Sequence, residues 1–322
     1  MKVYSLLFSF IFLLNSISKA DEGFWLPLLI ERLAYTDMKE KGLQLTPEEI
    51  YSANNSCIKD AIVSLNNGAC SGSIISSQGL LLTNYHCMYD IIQGYLSKNP
   101  SIIEEGFWSK SQGEELRCEN LTATFLISMD DVSARIAPML SSRLTDEQRS
   151  EKIQTLSEKI IKEATKDNDY TAEVKEYFGG NEFYLFVYET YQDVRLVAAP
   201  PSTIGRYGGD TDNWNWPRYT GDFALCRIYT GPDGKPATYN KKNIPLTPKY
   251  HLSINTSGVK QNDFTFTLGY PSKTNRFITS YGIDYNLEYI HPIILKCRKA
   301  KMQILKQEMD RRPEINQLYI AK

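Results

Sequence analysis

Three observations predict a mainly β fold with helical additions. Between Ile58 and Asn84, short apolar runs alternate with Gly and Asn turns, the pattern of barrel or sandwich strands. Similar runs return from Glu182 onward. One amphipathic stretch interrupts them, and from about Thr279 the apolar spacing becomes helical.

The elements follow in order. Asp21 to Leu33 is aromatic and apolar and is expected to tuck into a core. Thr46-Pro47-Glu48-Glu49 starts a short helix, with Thr46 as cap, Pro47 at the first helical position and Glu49 closing a capping box. Strands are expected over 61–65, 72–75 and 80–84, separated by Asn66-Asn67-Gly68 and by Ser76-Ser77-Gln78-Gly79. His86 then stands just past a buried strand, and 91–120 reads as mixed loop. A strand over 122–129 precedes a short helix or loop over 131–140. Thr145 and Gln148 cap the amphipathic helix, which runs to about Ala164 within a helical excursion over 145–168. Strands are expected at 182–189, 194–199, 223–230, after Pro236 and over 264–268. Residues 283–310 have helical spacing, and Pro292 must begin or kink a helix there.

A chain of 322 residues can bury one large core or two smaller ones. Its formal charge of -2 gives no reason to expect nucleic acid or an anionic membrane as partner. Lys2, the apolar run Leu6 to Leu14 and Ser18-Lys19-Ala20 form a secretory signal peptide over 1–20. That run is too short to span a bilayer, so the mature chain is expected to be exported without a membrane-spanning segment. Export permits disulfides among the six cysteines, for which fifteen full pairings are conceivable. Cys70, at a turn before the strand that delivers His86, is placed to bridge to Cys87 and pin the strand end. Buried free thiols are the other reading for some of the six.

Two islands carry chemistry. Gly208 to Phe223 (GGDTDNWNWPRYTGDF) sets indoles among Asn and Asp side chains, which suits a recess with apolar walls and directed hydrogen bonds. Leu82-Thr83-Asn84-Tyr85-His86-Cys87 offers a histidine where a general base could be held, one ring nitrogen toward substrate and the other on a carboxylate. Asp222, at the mouth of its own strand, is the candidate carboxylate. The bland readings are an irregular packed loop and a structural histidine; His251 and His291 stand in unremarkable contexts. Three histidines with no CxxC and no HExxH give a zinc site little support, so no metal or cofactor is expected. Gly205-Arg206-Tyr207-Gly208-Gly209 lacks the GxGxxG or GKS/T pattern of a phosphate loop.

These residues carry a resemblance. Gly79 to Cys87 resembles the histidine motif of the bacterial dipeptidyl-peptidase 7/11 family, the S46 serine peptidases. Gly208 to Phe223 resembles the family's aspartate segment, and Gly269-Tyr270-Pro271 with Thr274-Asn275-Arg276 its next block. The similarity runs from about Phe24 to the last residue. One departure is Tyr85, where the family usually has a second histidine. The resemblance implies a trypsin-like serine protease fold: the first barrel of a chymotrypsin-like double β-barrel over 21–278, then the start of an inserted α-helical domain over 279–322. It implies a periplasmic or surface-associated exopeptidase, homodimeric in the family, that removes dipeptides from the free amino end of peptides. His86 then matches the general base and Asp222 the residue that orients it. Asn213 and Trp214 match the pair that binds the substrate's terminal ammonium and neighbouring backbone. The family's serine lies beyond the helical domain, within a Gly-Asn-Ser-Gly-Ser-like run. The only Gly-x-Ser-Gly-like context here, Ala69 to Ser73, belongs to the strand before His86. This chain is therefore expected to be an N-terminal portion, inactive alone. The rival reading is a non-catalytic protein that binds peptide amino termini.

Overall fold

The computed structural model describes residues 24–209, 215, 217–271 and 278–319. Its centre is an 11-stranded sheet: β1 (Ile62–Leu65), β2 (Cys70–Ile74), β3 (Leu80–Thr83), β4 (Phe107–Trp108), β5 (Leu116–Arg117), β6 (Ala123–Asp131), β7 (Thr171–Tyr177), β8 (Glu182–Tyr191), β9 (Asp193–Ala199), β10 (Ala224–Thr230) and β11 (Ile244–Pro245). The spatial order is β4-β9-β10-β3-β2-β1-β6-β8-β7, with β11 on β10 and β5 on β9.

The expected barrel is not there. Among the described residues the sheet stays open, and the fold is mixed α and β: one large sheet with several helices. The path ends at β4 and β7, which pair with β9 and β8 and not with each other, so no ladder closes it; Gln192 is the single residue between β8 and β9. β8 gives its edges to β6 and β7, while β9 gives one edge to β10 and the other to β4 and β5. Strands with both edges occupied cannot pair with each other, so neighbours in sequence are not neighbours in the ladder.

Two of the apolar clusters that hold the sheet also seat its helices. Val63, Leu65, Ile74 and Leu81 from β1 to β3 pack with Tyr85, Met88 and Ile92 of helix α1 (Tyr85–Gly94) and with Cys226 and Ile228 of β10. Each large side chain buried in this way contributes about 1.5–3 kcal/mol. Helix α2 (Asp146–Ala164) lays Ile153 and Ile160 against Phe183, Leu185 and Val187 of β8. The capping boxes at Thr46–Glu49 and Thr145–Gln148 are both formed.

Other expectations fail locally. Residues 264–268 join no ladder; Phe264 instead packs with the buried cluster of Ile30, Leu43 and Ile50. The segment 85–94 is helical rather than a strand end running into loop. A one-turn helix, α3 (Ser202–Gly205), precedes the aspartate segment. Beyond residue 279, α4 (Ser280–Tyr285), a π-helical turn (Asn286–Ile290) and α5 (His291–Arg311) bury no residue, and Pro292 sits in the first turn of α5. Helix α6 (Pro313–Tyr319) follows. No helix among the described residues is long and apolar enough to cross a membrane.

Candidate active site

Sheet register brings the two islands together. In the antiparallel ladder of β3 and β10, Thr83 lies opposite Ala224 and Leu82 opposite Leu225. Continuing that register past Thr83 sets the start of α1 beside Asp222. The strand then turns helical, and Tyr85, Met88, Tyr89 and Ile92 are buried at the spacing of one helix face. His86, on the opposite side, is left with a side chain 64% exposed.

Asp222 receives several donors from this turn. The backbone N–H of His86 donates to Oδ1 at 3.0 Å, and Nδ1 of the His86 ring lies 2.7 Å from Oδ2. Asn84 Nδ2 donates to the Asp222 carbonyl at 3.0 Å and to Oδ2 at 3.3 Å. Asn84 occupies the N-cap position but makes no side-chain cap bond of its own; the distant carboxylate does that work. A negative charge also suits the positive end of the helix dipole. The carboxylate fixes the proton on Nδ1 and leaves Nε2 with its lone pair outward, the form a general base requires.

The aspartate is held from behind by α3. Gly221 N–H donates to the carbonyl of Ile204 at 3.0 Å, and Thr220 Oγ1 donates to the carbonyls of Ile204 and Gly205 at 3.1 and 3.2 Å. On the other side, Thr83 Oγ1 donates to the Ser71 carbonyl at 2.8 Å, tying β3 to β2. A disulfide joins Cys70, the first residue of β2, to Cys87 in the first turn of α1, with Cα atoms 6.1 Å apart. Cys57, Cys118, Cys226 and Cys297 are free thiols, the first three buried.

A cavity of about 280 Å³ opens beside the pair, lined by residues including Ser71, Ser73, Thr83, Asn84, Asp222 and Phe223. Trp108 leans on Phe223 with ring centroids 6.4 Å apart. A larger cavity of about 480 Å³ has Leu28, Arg32, Met129 and Tyr184 in its walls and neither His86 nor Asp222. Asn213 and Trp214 lie outside the described residues, as do Thr274, Asn275 and Arg276. Reading the sequence missed the helix under His86 and the part played by Asn84. The signal was present: Asn84 is a helix-start residue, followed by apolar positions at 85, 88, 89 and 92.

The arrangement is a histidine held and oriented by a carboxylate. Comparison makes the assignment: the peptidase S46 profile matches residues 20–322, and the chain belongs to that family. It is 42% identical over 320 residues to dipeptidyl-peptidase 7 of Capnocytophaga gingivalis, covering 99% of this chain and 45% of that protein. It is 38% identical over 301 residues to the Asp/Glu-specific dipeptidyl-peptidase of Flavobacterium psychrophilum, covering 94% of this chain and 42% of the relative. The crystal structure of DPP11 from Porphyromonas endodontalis in complex with the dipeptide Arg-Glu superposes with a TM-score of 0.83 at 39% identity, over 94% of this chain and 44% of the other. The chain therefore spans less than half the length of these relatives.

Proposed function

We propose that this chain is the base-bearing portion of an exported serine exopeptidase that releases dipeptides from the free amino end of peptides. One observation carries the reading: in a chain of the S46 family, a single carboxylate, Asp222, is bonded to both the main chain and the ring of His86. His86 Nε2 would take the proton of the attacking serine, and Asp222 would hold the ring's orientation and stabilise the imidazolium that forms. Asn213 would accept from the substrate's terminal ammonium, with the Trp214 indole as the wall that fixes its pose. The serine itself is proposed to lie in the part of a longer protein equivalent to the relatives' remaining length, so that residues 1–322 alone do not turn over. The sheet-bearing part, 21–278, would form the floor of the cleft, and the helices from 279 would begin the domain above it.

The test is a synthetic peptide with a free amino terminus, its N-acetylated twin, and the protein purified from its source. Dipeptides are expected from the free peptide alone, with release abolished by His86→Ala. Cleavage of the acetylated peptide, or activity that survives His86→Ala, would overturn the proposal.

A further inference from the structure

Asn84, the residue between β3 and α1, grips the carboxylate from a second side. Its amide nitrogen lies 3.0 Å from the main-chain carbonyl of Asp222 and 3.3 Å from Oδ2 of the same residue. An amide nitrogen carries two N–H groups, one for each of these acceptors. The bond to the carbonyl fixes the amide relative to the Asp222 backbone. The bond to Oδ2 then restrains rotation of the side chain about that backbone. Asn84 itself is exposed, but its neighbours are held: Thr83 lies in the ladder opposite Ala224, and Tyr85 is fully buried.

The position invites a different role. Asn84 is the N-cap of α1 with extended backbone, φ -83° and ψ 151°, where an Asn oxygen ordinarily accepts from an N–H two or three residues on. It makes no such bond, whereas Thr145 at the same position of α2 accepts from Gln148. We propose that Asn84 is a positioning residue, a role that rests on the peptidase reading of His86 and Asp222. It acts through Asp222, holding Oδ2 against Nδ1 of His86, and does not serve as the helix cap.

Oδ2 accepts from both Nδ1 and the Asn84 amide, while Oδ1 takes the His86 N–H. When Nε2 receives a proton the ring becomes a cation, and the carboxylate must keep its orientation through that change of charge. Bonds from His86 alone do not ensure this, because they weaken together when the first turn of α1 moves. Asn84 supplies a hold that lies outside the helix and does not depend on the ring's charge. A carboxylate left to turn would carry the ring with it, and misplacing a reacting group by about 1 Å can cost on the order of 10²-fold in rate.

Three substitutions separate the two roles. Asn84→Ala removes both. Asn84→Ser and Asn84→Asp keep a side chain favoured at an N-cap but cannot bridge the two Asp222 oxygens with a pair of N–H donors. Positioning predicts that kcat falls at least about tenfold in all three while KM stays unchanged. It also predicts that the Nδ1–H proton of His86, followed by ¹⁵N-edited NMR, exchanges with solvent faster than in the native protein. Capping predicts native kcat and native exchange for Asn84→Ser and Asn84→Asp, and that outcome would overturn the proposal. So would a rise in KM with kcat unchanged. Loss of the fold in any of the three, read by circular dichroism, would show a structural role and overturn it as well. The NMR measurement requires no turnover. A native protein that releases no dipeptides therefore sinks the peptidase reading, while the ring signal still decides whether Asn84 holds the pair.

Discussion

The ring of Tyr85 lies against the α-carbon of Gly205: a methyl group there would come 2.4 Å from Cγ and 2.7 Å from Cδ1 and Cδ2. This contact locks the start of α1, which carries His86, to α3, whose carbonyls hold Thr220 and Gly221 beside Asp222. Gly205→Ala must push apart the two pieces that bring the dyad together. It is expected to destabilise the chain by about 1–3 kcal/mol, read as a lower urea midpoint. In the proposed enzyme, kcat should fall with it.

Tyr85 itself is fully buried, and its hydroxyl has no hydrogen-bond partner among the described residues. Removing an unsatisfied buried hydroxyl lifts a desolvation cost of about 1–3 kcal/mol, so Tyr85→Phe should be neutral or stabilising. Burial, with a smaller contribution from Tyr89, pushes the Tyr85 phenol up to about 12, against a lowering by Arg206. The unfolded chain loses that proton first, near pH 10. The stabilisation is therefore complete below that pH and lost as pH climbs toward the folded value. Urea melts across this range should fall less steeply for Tyr85→Phe than for the native chain. Parallel curves would exclude this tyrosine as a source of the alkaline loss.

Asp222→Asn presents an amide where Nδ1–H now meets a carboxylate. The ring is expected to change tautomer, placing the proton on Nε2, which ¹⁵N NMR of His86 reads directly. In a triad the comparable change costs roughly 10⁴ in kcat, and a loss of that order is expected in the proposed enzyme. An unaltered tautomer would show that the carboxylate does not set it.

Cys70 and Cys87 are 17 residues apart in sequence, and the crosslink constrains the unfolded chain over that loop. Reduction, or Cys70→Ser with Cys87→Ser, should lower stability by about 3 kcal/mol. The melt should remain a single transition, because β2 and α1 stay embedded in the main core.

Asp193 and Arg195 form a two-pronged ion pair at 2.7 and 2.9 Å inside the sheet. Asn243 also donates to Asp193, and the guanidinium lies 3.6 Å from the Tyr229 ring centroid. Arg195→Met strands a carboxylate that is almost wholly buried and should cost about 3–5 kcal/mol. Adding Asp193→Asn should recover a good part of that loss. Denaturation of both variants decides it, and equal stability of the single and double variants would count against the pairing.

β1 and β3 could be read because each is a short, mainly apolar run ended by Asn, and β2 because it lies between two Gly-containing turns, a local signal. β7 was not foreseen: Thr171-Ala172-Glu173-Val174-Lys175-Glu176-Tyr177 is half polar on both faces, as an edge strand is. The Phe-Thr alternation over 264–267 suggests a strand, yet Phe264 packs into a neighbouring cluster while Phe266 stays exposed, their rings tilted with centroids 6.0 Å apart. Closure of the sheet depends on whether its end strands, β4 and β7, meet, and no local pattern records that. In the site, His86 and Asp222 stood out because each follows or precedes a buried run. Asn84 did not, because its role depends on a carboxylate 138 positions away.

Since one carboxylate anchors the amide and the imidazole of the same residue, fraying of the first turn of α1 and loss of the ring's orientation are one event. Deuterium uptake at the His86 amide therefore times how often the dyad comes apart, and it does so without substrate, inhibitor or turnover.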